Sequence, residues 1–308
     1  MLRALIDITI CIVFFGHITS AFSTNEPANF RIVTSFSLLK NWVDVLTKGI
    51  PSDRVTITHV TLVSHDVDPH VYQPTPMDSK ALVHADVVIK LGLSFEGWLD
   101  PLIAASATKA TCVVASEGVT YRDQPAPDPH IWHDVQKARQ VVRHIAMVLC
   151  RLLPGEAATI QRNANVYDDK LMLLEAWVHS EIKKIPVDKR KVITTHDAFY
   201  YYGAAYGVTF VAPVGLSTEA EVDSKTLAMI IRQIKNEQIK AVFFENLANR
   251  NVMRQIAEET GITINEDATL YADSLVQETG GYDAYEATIR HNTMLIVGAL
   301  APASCVED

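Results

Sequence analysis

Cysteine is scarce in this 308-residue chain: Cys11, Cys112, Cys150 and Cys305, with no C-x-x-C pair among them. The chain therefore carries no cysteine-based zinc or redox motif. It also lacks H-E-x-x-H, in which two metal-binding histidines flank a base on one helix, so the usual sequence sign of a zinc hydrolase is missing. No basic run or aromatic-basic stripe occurs and the net charge is −9, which removes nucleic acid from the expected partners. Low-complexity segments and short tandem repeats are absent. What is present is 48% hydrophobic residues, enough for real cores, over a length that suggests roughly two domains.

The first 23 residues read as a secretory signal peptide. Arg3 precedes the apolar run ALIDITICIVFFG, and ITSAFS offers small residues for cleavage after Ala21 or Ser23. The run is too short for a good membrane span. Asp7 interrupts it, and an uncleaved anchor is the alternative. Cys11 follows Ile10, where lipid attachment wants a small residue, so a lipid anchor is not expected. Cleavage would leave Cys112, Cys150 and Cys305. One disulfide among them and three separate thiols are both open.

Beyond residue 23, apolar β-rich stretches alternate with helical spacing. FRIVTSF, VTITHVTLV, DVVIKLG and TCVVAS are predicted strands, with helices over SLLKNWVDVLTKG, MDSKALVHA and SFEGWLDPLIAAS. Such alternation argues for a parallel sheet with right-handed crossovers. The strands then stop. One helix ends at Pro154–Gly155, and a longer one runs from about Glu156 to Ile185, before Pro186. It predicts a rod between two halves. The alternation resumes with KVITT, DAFYYYGAAYG, VTFVAP, DSKTLAMIIRQIKNEQ, KAVFFEN, NRNVMRQIAEETG and ITINE, and a last helix covers about 283–300. The expected fold is α/β: an N-terminal lobe over 24–153, a linker helix over 154–187 and a C-terminal lobe over 188–308.

Asp-Pro-His occurs twice, at 68–70 and 128–130. Asp and Pro favour loops, and Pro pushes its predecessor out of the α region. His70 and His130 thus sit at stiff turns, each after strands of the first half. His196 follows KVITT directly, and Asp273 lies in TLYADSL after ITINE. In open α/β sheets ligands gather at the carboxyl ends of strands, often between domains, so these four can meet in one cleft. Imidazole suits zinc, manganese, iron and nickel, and a carboxylate adds a hard oxygen. Taken singly, each histidine reads more readily as a polar loop residue, and only the convergence of four positions at strand ends brings the two readings level. Glu219 and Glu221 are open between supporting a metal-bound histidine and capping a solvated loop. Tyr200, Tyr201 and Tyr202 read as packing, and Trp132 as an anchor for its loop.

Six segments, in order, go further: DPHVYQPTP, DPHIWHD, TTHDAFYYYGAAYG, GLSTEAEVD, FFENLANRNVMRQIAEETG and LYADSL…GGYDAYEATIRHN. Through them the chain resembles the cluster A-I periplasmic metal-binding receptors of ABC transporters, the zinc/manganese family. The resemblance implies two (β/α) lobes with parallel-type sheets, joined by one long helix, with the metal between them. Its ligand positions fall on His70, His130, His196 and Asp273. It implies a periplasmic monomer without catalysis or organic cofactor, which captures Mn²⁺ or Zn²⁺ and delivers it to an ABC permease in the inner membrane. A secreted metal-dependent hydrolase, or a surface adhesin on the same scaffold, is the alternative. The chain departs from the family's DPHxWLDP, with His133 and Val135 in place of Leu and Pro. His133 and His65 are expected in surface or supporting roles rather than as ligands. The His/Asp-rich loop of many zinc receptors is missing, whereas His196 stands where many manganese receptors carry Glu, so the clues to the metal oppose each other.

Overall fold

The computed structural model describes residues 28–219, 222–277, 279–280 and 283–302. The expected signal segment with Cys11, and also Glu221 and Cys305, lie outside the described residues. In the first half, β1 (Ala28–Phe36), β2 (Val55–Val63), β3 (Val87–Lys90) and β4 (Thr111–Val114) form one sheet in the order β2-β1-β3-β4. Every pairing is parallel. Parallel neighbours need a crossover, supplied here by α1 (Ser37–Thr47), α2 (Pro76–Val83) and α3 (Leu99–Ser106). On α1, Leu38, Leu39, Trp42, Val43 and Leu46 make a single buried face, as their spacing predicts.

A turn at Ile131–His133 leads into α4 (Val135–Leu152), and α5 (Ala157–Ile182) follows. At 26 residues, α5 is about 39 Å long. It is shorter than the predicted span because Pro154–Glu156 forms a 3₁₀ turn before it and turns follow Ile182. Nor is it a bare rod. Ile160, Ala164, Tyr167, Leu171, Leu174, Val178 and Ile182 recur every three or four residues and are all buried. This stripe packs on α4, α1 and the last helix, α9 (Ala284–Leu300). One apolar core runs through both halves along α5, from Ile32 to Leu300.

The second half holds β5 (Lys191–Ile193), α6 (Tyr200–Tyr206), β6 (Thr209–Val211), α7 (Ser224–Glu237), β7 (Ala241–Val242), β8 (Phe244–Glu245), α8 (Arg250–Thr260) and β9 (Thr269–Leu270). The order β6-β5-β7 makes a three-stranded sheet and β8 pairs with β9, all parallel. Three elements differ from expectation. KAVFFEN is two short strands interrupted at Phe243, whose N–H still donates to Ile193 O at 3.0 Å. The predicted helix over 197–207 begins only at Tyr200, since Asp197 N–H is drawn to the carbonyls of Val214 and Gly215. It ends at Gly207, where φ is +76°, a conformation that suits glycine. ITINE is not a strand: Asn265 accepts from Asp267 N–H in a turn, and the pairing shifts to Thr269–Leu270.

Cys112 and Cys150 are free thiols. No helix among the described residues is long and apolar enough to cross a membrane.

The α5 stripe yields a stability prediction. Leu174 is fully buried between the halves, whereas Leu173 is 72% exposed. Leu174→Ala is expected to cost about 2–5 kcal/mol, by lost burial and the cavity left behind. Leu173→Ala is expected to stay within about 0.5 kcal/mol. Urea unfolding of the two variants measures the contrast, and equal midpoints would contradict a spine buried along its length.

Candidate metal centre

Both Asp-Pro-His turns use the aspartate as a local clamp. Asp68 Oδ1 accepts from His70 N–H at 2.8 Å, and Trp98 Nε1–H holds the Pro69 carbonyl at 2.8 Å. The His70 ring meets Phe95 edge-on at 4.7 Å between centroids. Asp128 is fully buried, and its Oδ1 accepts from both His130 N–H (3.1 Å) and His130 Nδ1 (2.8 Å). That bond places the ring hydrogen on Nδ1 and turns the Nε2 lone pair inward. Arg122 reaches Asp128 Oδ2 at 2.7 Å and Asp197 Oδ2 at 2.8 Å, with its guanidinium 4.1 Å from the Tyr200 ring centroid.

His196 leaves β5 along an irregular path because one buried carboxylate captures the backbone. Glu245 Oε1 accepts from the N–H groups of Thr195 (2.8 Å) and His196 (3.1 Å), and Oε2 meets His196 Nδ1 at 2.5 Å. Again Nε2 is the nitrogen that faces inward. Asp273 follows β9. The carbonyl of Ala272 before it accepts from Trp132 Nε1–H at 3.0 Å.

His70, His130, His196 and Asp273 each offer one atom to a common point, all within 4.8 Å of one another. His196 Nε2 lies 3.2 Å and His70 Nε2 3.7 Å from Asp273 Oδ2, and His130 Nε2 lies 3.4 Å from Oδ1. The Nε2 atoms of His130 and His196 are 3.4 Å apart. Bonds of about 2.0–2.1 Å put the ligand atoms of one tetrahedral shell about 3.3 Å apart, close to the His130–His196 and His196–Asp273 separations. His70 Nε2 and Asp273 Oδ1 are buried without a hydrogen-bond partner, although they lie near each other's groups. Orphaned buried polar atoms aimed at one centre fit a cation.

Electrostatics points the same way. Burial would raise the Asp273 carboxyl, yet the His196 and His70 charges, with the His130 and His196 rings close by, hold it well below the usual range. Burial would lower His196, but Glu245 and Asp273 hold it well above 6.5. His130 is raised against burial by hydrogen bonds to Asp128 and Asp273.

The other candidates fall outside the cluster. His65 is exposed beside Asp66, 3.2 Å away. His133 is buried, its Nε2 is on the Ala272 carbonyl, and burial and then the His130 charge push it down to about 3. Glu219 is exposed on a cleft of about 510 Å³ that Asp68, Thr195 and His196 also line. Tyr202 is packed, its hydroxyl paired with Thr293 at 2.8 Å. Tyr201 does more than pack: it donates to the Asp128 carbonyl (3.0 Å) and accepts from Arg122 N–H (2.8 Å). Trp132 anchors its turn to its own half through Phe36 and Phe95, with ring centroids at 5.7 and 5.2 Å, and to the other half through the Ala272 carbonyl. Sequence reasoning assigned no role to Glu245, Asp128 or Arg122. Glu245 was signalled by a lone carboxylate at the end of the apolar run AVFF.

A family model, ZnuA, the zinc-uptake complex component A periplasmic, matches residues 32–299, and the chain belongs to that family. The manganese-binding lipoprotein MntA of Bacillus subtilis (strain 168) is 31% identical over 268 residues, 82% of this chain and 85% of that protein. FimA of Streptococcus parasanguinis, a metal ABC transporter substrate-binding lipoprotein, is 25% identical over 291 residues, 91% of this chain and 92% of that one. The solved periplasmic zinc-binding protein TroA of Treponema pallidum superposes with a TM-score of 0.81 at 25% identity, over 89% of this chain and 100% of that one. The expected two-lobe α/β fold with parallel sheets is thereby found. The expectation against a lipid anchor is corrected, because MntA and FimA are both lipoproteins by name.

The raised histidines carry a consequence for the metal-free protein. A histidine whose folded value exceeds the unfolded one, about 6.5, stabilises the fold fully below that pH. The contribution is lost as pH rises through the raised value. Metal-free protein is therefore expected to unfold at lower urea at pH 9 than at pH 6.5, and His196→Ala to flatten the difference. Urea midpoints across that range, with chelator present, provide the check. A wild-type midpoint that climbs with pH would contradict the protonated imidazoles.

Proposed function

We propose that this chain is a periplasmic receptor that captures Zn²⁺ or Mn²⁺ between its two lobes and delivers it to an ABC permease in the inner membrane. One observation carries the reading: four residues, His70, His130, His196 and Asp273, each turn one donor atom to a common point, all within 4.8 Å of one another. Two come from the first lobe (24–153) and two from the second (188–308), with 154–187 between the lobes. Four protein ligands close the shell. A hydrolytic zinc site leaves a position open for water, so this geometry favours capture over catalysis. Membership of an uptake family and relatives named for manganese and zinc support the cargo, while nothing in them favours a hydrolase or an adhesin. The protein acts as a monomer and uses no organic cofactor.

Nitrogen donors favour zinc by affinity, since zinc stands above manganese at a shared N/O site. Supply in the compartment then decides which ion is carried.

The ligand set is tested by single substitutions. His70→Ala, His130→Ala, His196→Ala and Asp273→Ala are each expected to weaken Zn²⁺ binding by more than about tenfold, because each removes a bond to the ion. His65→Ala is expected to leave it within about threefold, because that side chain lies outside the cluster. Competition titration against a chelator reads these changes, and loss of binding in the His65 variant alone would sink the assignment.

Protons compete for the same nitrogens. Because His130 and His196 are raised above 6.5, metal binding must expel protons even at neutral pH. Affinity is expected to fall steadily from pH 8 to pH 5.5. Calorimetry in buffers of different ionisation heat should show proton release at pH 7.5, and equal affinities at pH 5.5 and 7.5 would count against a histidine-dominated site.

A further inference from the structure

The turn that presents His130 also carries His133, which the ligand set does not use. Its ring is buried, with Nε2 3.1 Å from the Ala272 carbonyl oxygen. A carbonyl only accepts, so Nε2 bears the hydrogen. The indole N–H of Trp132 donates to the same oxygen at 3.0 Å. Ala272 immediately precedes Asp273. The His133 ring also lies against Phe199, with 4.4 Å between centroids and 35° between planes, and Phe199 stands three residues beyond His196. One imidazole from the first lobe therefore touches both ligand loops of the second.

The rest of that ring is poorly served. Nδ1 is buried and has no hydrogen-bond partner among the described residues. An apolar side chain of similar size would fill the space without an orphaned acceptor, whose desolvation opposes folding. What the histidine adds is its Nε2 hydrogen, and the only atom receiving it is the carbonyl next to a proposed ligand.

We propose that His133 is a positioning residue: with the Trp132 indole it clamps the Ala272 carbonyl and so fixes the Asp273 carboxylate at the metal. The clamp rests on the receptor reading above and deepens it. Two donors converge on one oxygen from two planar rings, so the peptide between Ala272 and Asp273 cannot rotate without losing both bonds. The carboxylate then waits at the centre before the ion arrives. Its ordering is not charged to the binding step, and supports of this kind are commonly worth about ten- to a hundredfold in metal affinity.

The test compares His133→Gln with His133→Met in the full chain. The two side chains are close in length, and only glutamine offers an N–H where Nε2 now lies. Each is titrated with Zn²⁺ against a chelator, and each is melted metal-free. The methionine variant is expected to bind at least about tenfold more weakly, and the glutamine variant to stay within about threefold of wild type. Their metal-free melting temperatures are expected to agree within a few degrees, which a merely structural role would not give. Should the methionine variant not fold, Trp132→Phe removes the other donor and is expected to weaken binding in the same way. Equal affinities for the glutamine and methionine variants, at whatever level, would overturn the clamp. Wild-type protein that fails to bind Zn²⁺ would overturn the receptor reading and the clamp with it, whereas wild-type binding with no difference between the variants overturns the clamp alone.

Discussion

The structure turns on one buried carboxylate. Asp273 is almost wholly excluded from water, and a lone charge in that position would be strongly unfavourable. It persists because three imidazoles stand within 3.7 Å of its oxygens. No single segment could supply them, for the three lie on separate loops of two sheets. Bringing them together requires both lobes, in one relative placement. The same charge explains the metal-free electrostatics: His196 and His130 are raised where burial alone would lower them, and the carboxyl is lowered where burial alone would raise it. A divalent cation takes over the role of those protons, so capture exchanges one set of positive partners for another.

Around this centre, a further ring of acidic groups aims the histidines. Asp128 and Glu245 each take a backbone N–H and the Nδ1 of the same histidine, so peptide and ring are fixed together. This is the carboxylate–histidine pairing that orients metal ligands generally. Arg122 ties the two arms: it pairs with Asp128 behind His130 and with Asp197 beside His196. Thr218 does the same on another side, donating to Asp68 Oδ2 at 2.6 Å while Asp68 Oδ1 holds His70. The lobes are thus linked through the supports of their ligands as well as through apolar packing.

Much of this was legible in the sequence, for definite reasons. The strand–helix alternation and the α5 stripe follow from hydrophobic spacing, and proline beside aspartate marked the two histidine turns. Sheet topology, which sends strand ends to one edge, allowed the four residues to meet, and the resemblance of six segments to a metal-receptor family singled them out. What escaped had a different origin. ITINE alternates like a strand, but Asn265 turns the chain and Thr269 pairs instead, a competition that local pattern cannot decide. The helix after His196 starts late because Val214 and Gly215, in a distant segment, take the Asp197 N–H. Arg122 and Tyr201 bond each other across 79 positions, Arg122 reaches Asp197 across 75 and Glu245 reaches His196 across 49, so local spacing along the chain did not reveal those partners.

The same contacts limit how the site opens. Hinge-type receptors close by rotating lobes about a few unpacked strands. Here the connection is a helix whose apolar stripe is buried from Ile160 to Ile182. The last helix returns to the first lobe as well: Tyr285 meets Trp42 at 5.4 Å between rings, takes Asn41 Oδ1 on its N–H, and donates its hydroxyl to the Trp132 carbonyl. Tyr167 on α5 bonds Asp283 at the start of that helix. A large rotation would break this packing along a whole face. The loops bearing His70 and residues 215–219 are different. They are joined across the cleft by the Thr218–Asp68 bond, and they border the open space beside His196. That cleft reaches His196 without passing through the buried stripe of α5, so it is the side on which an ion meets the centre with least disturbance of the core.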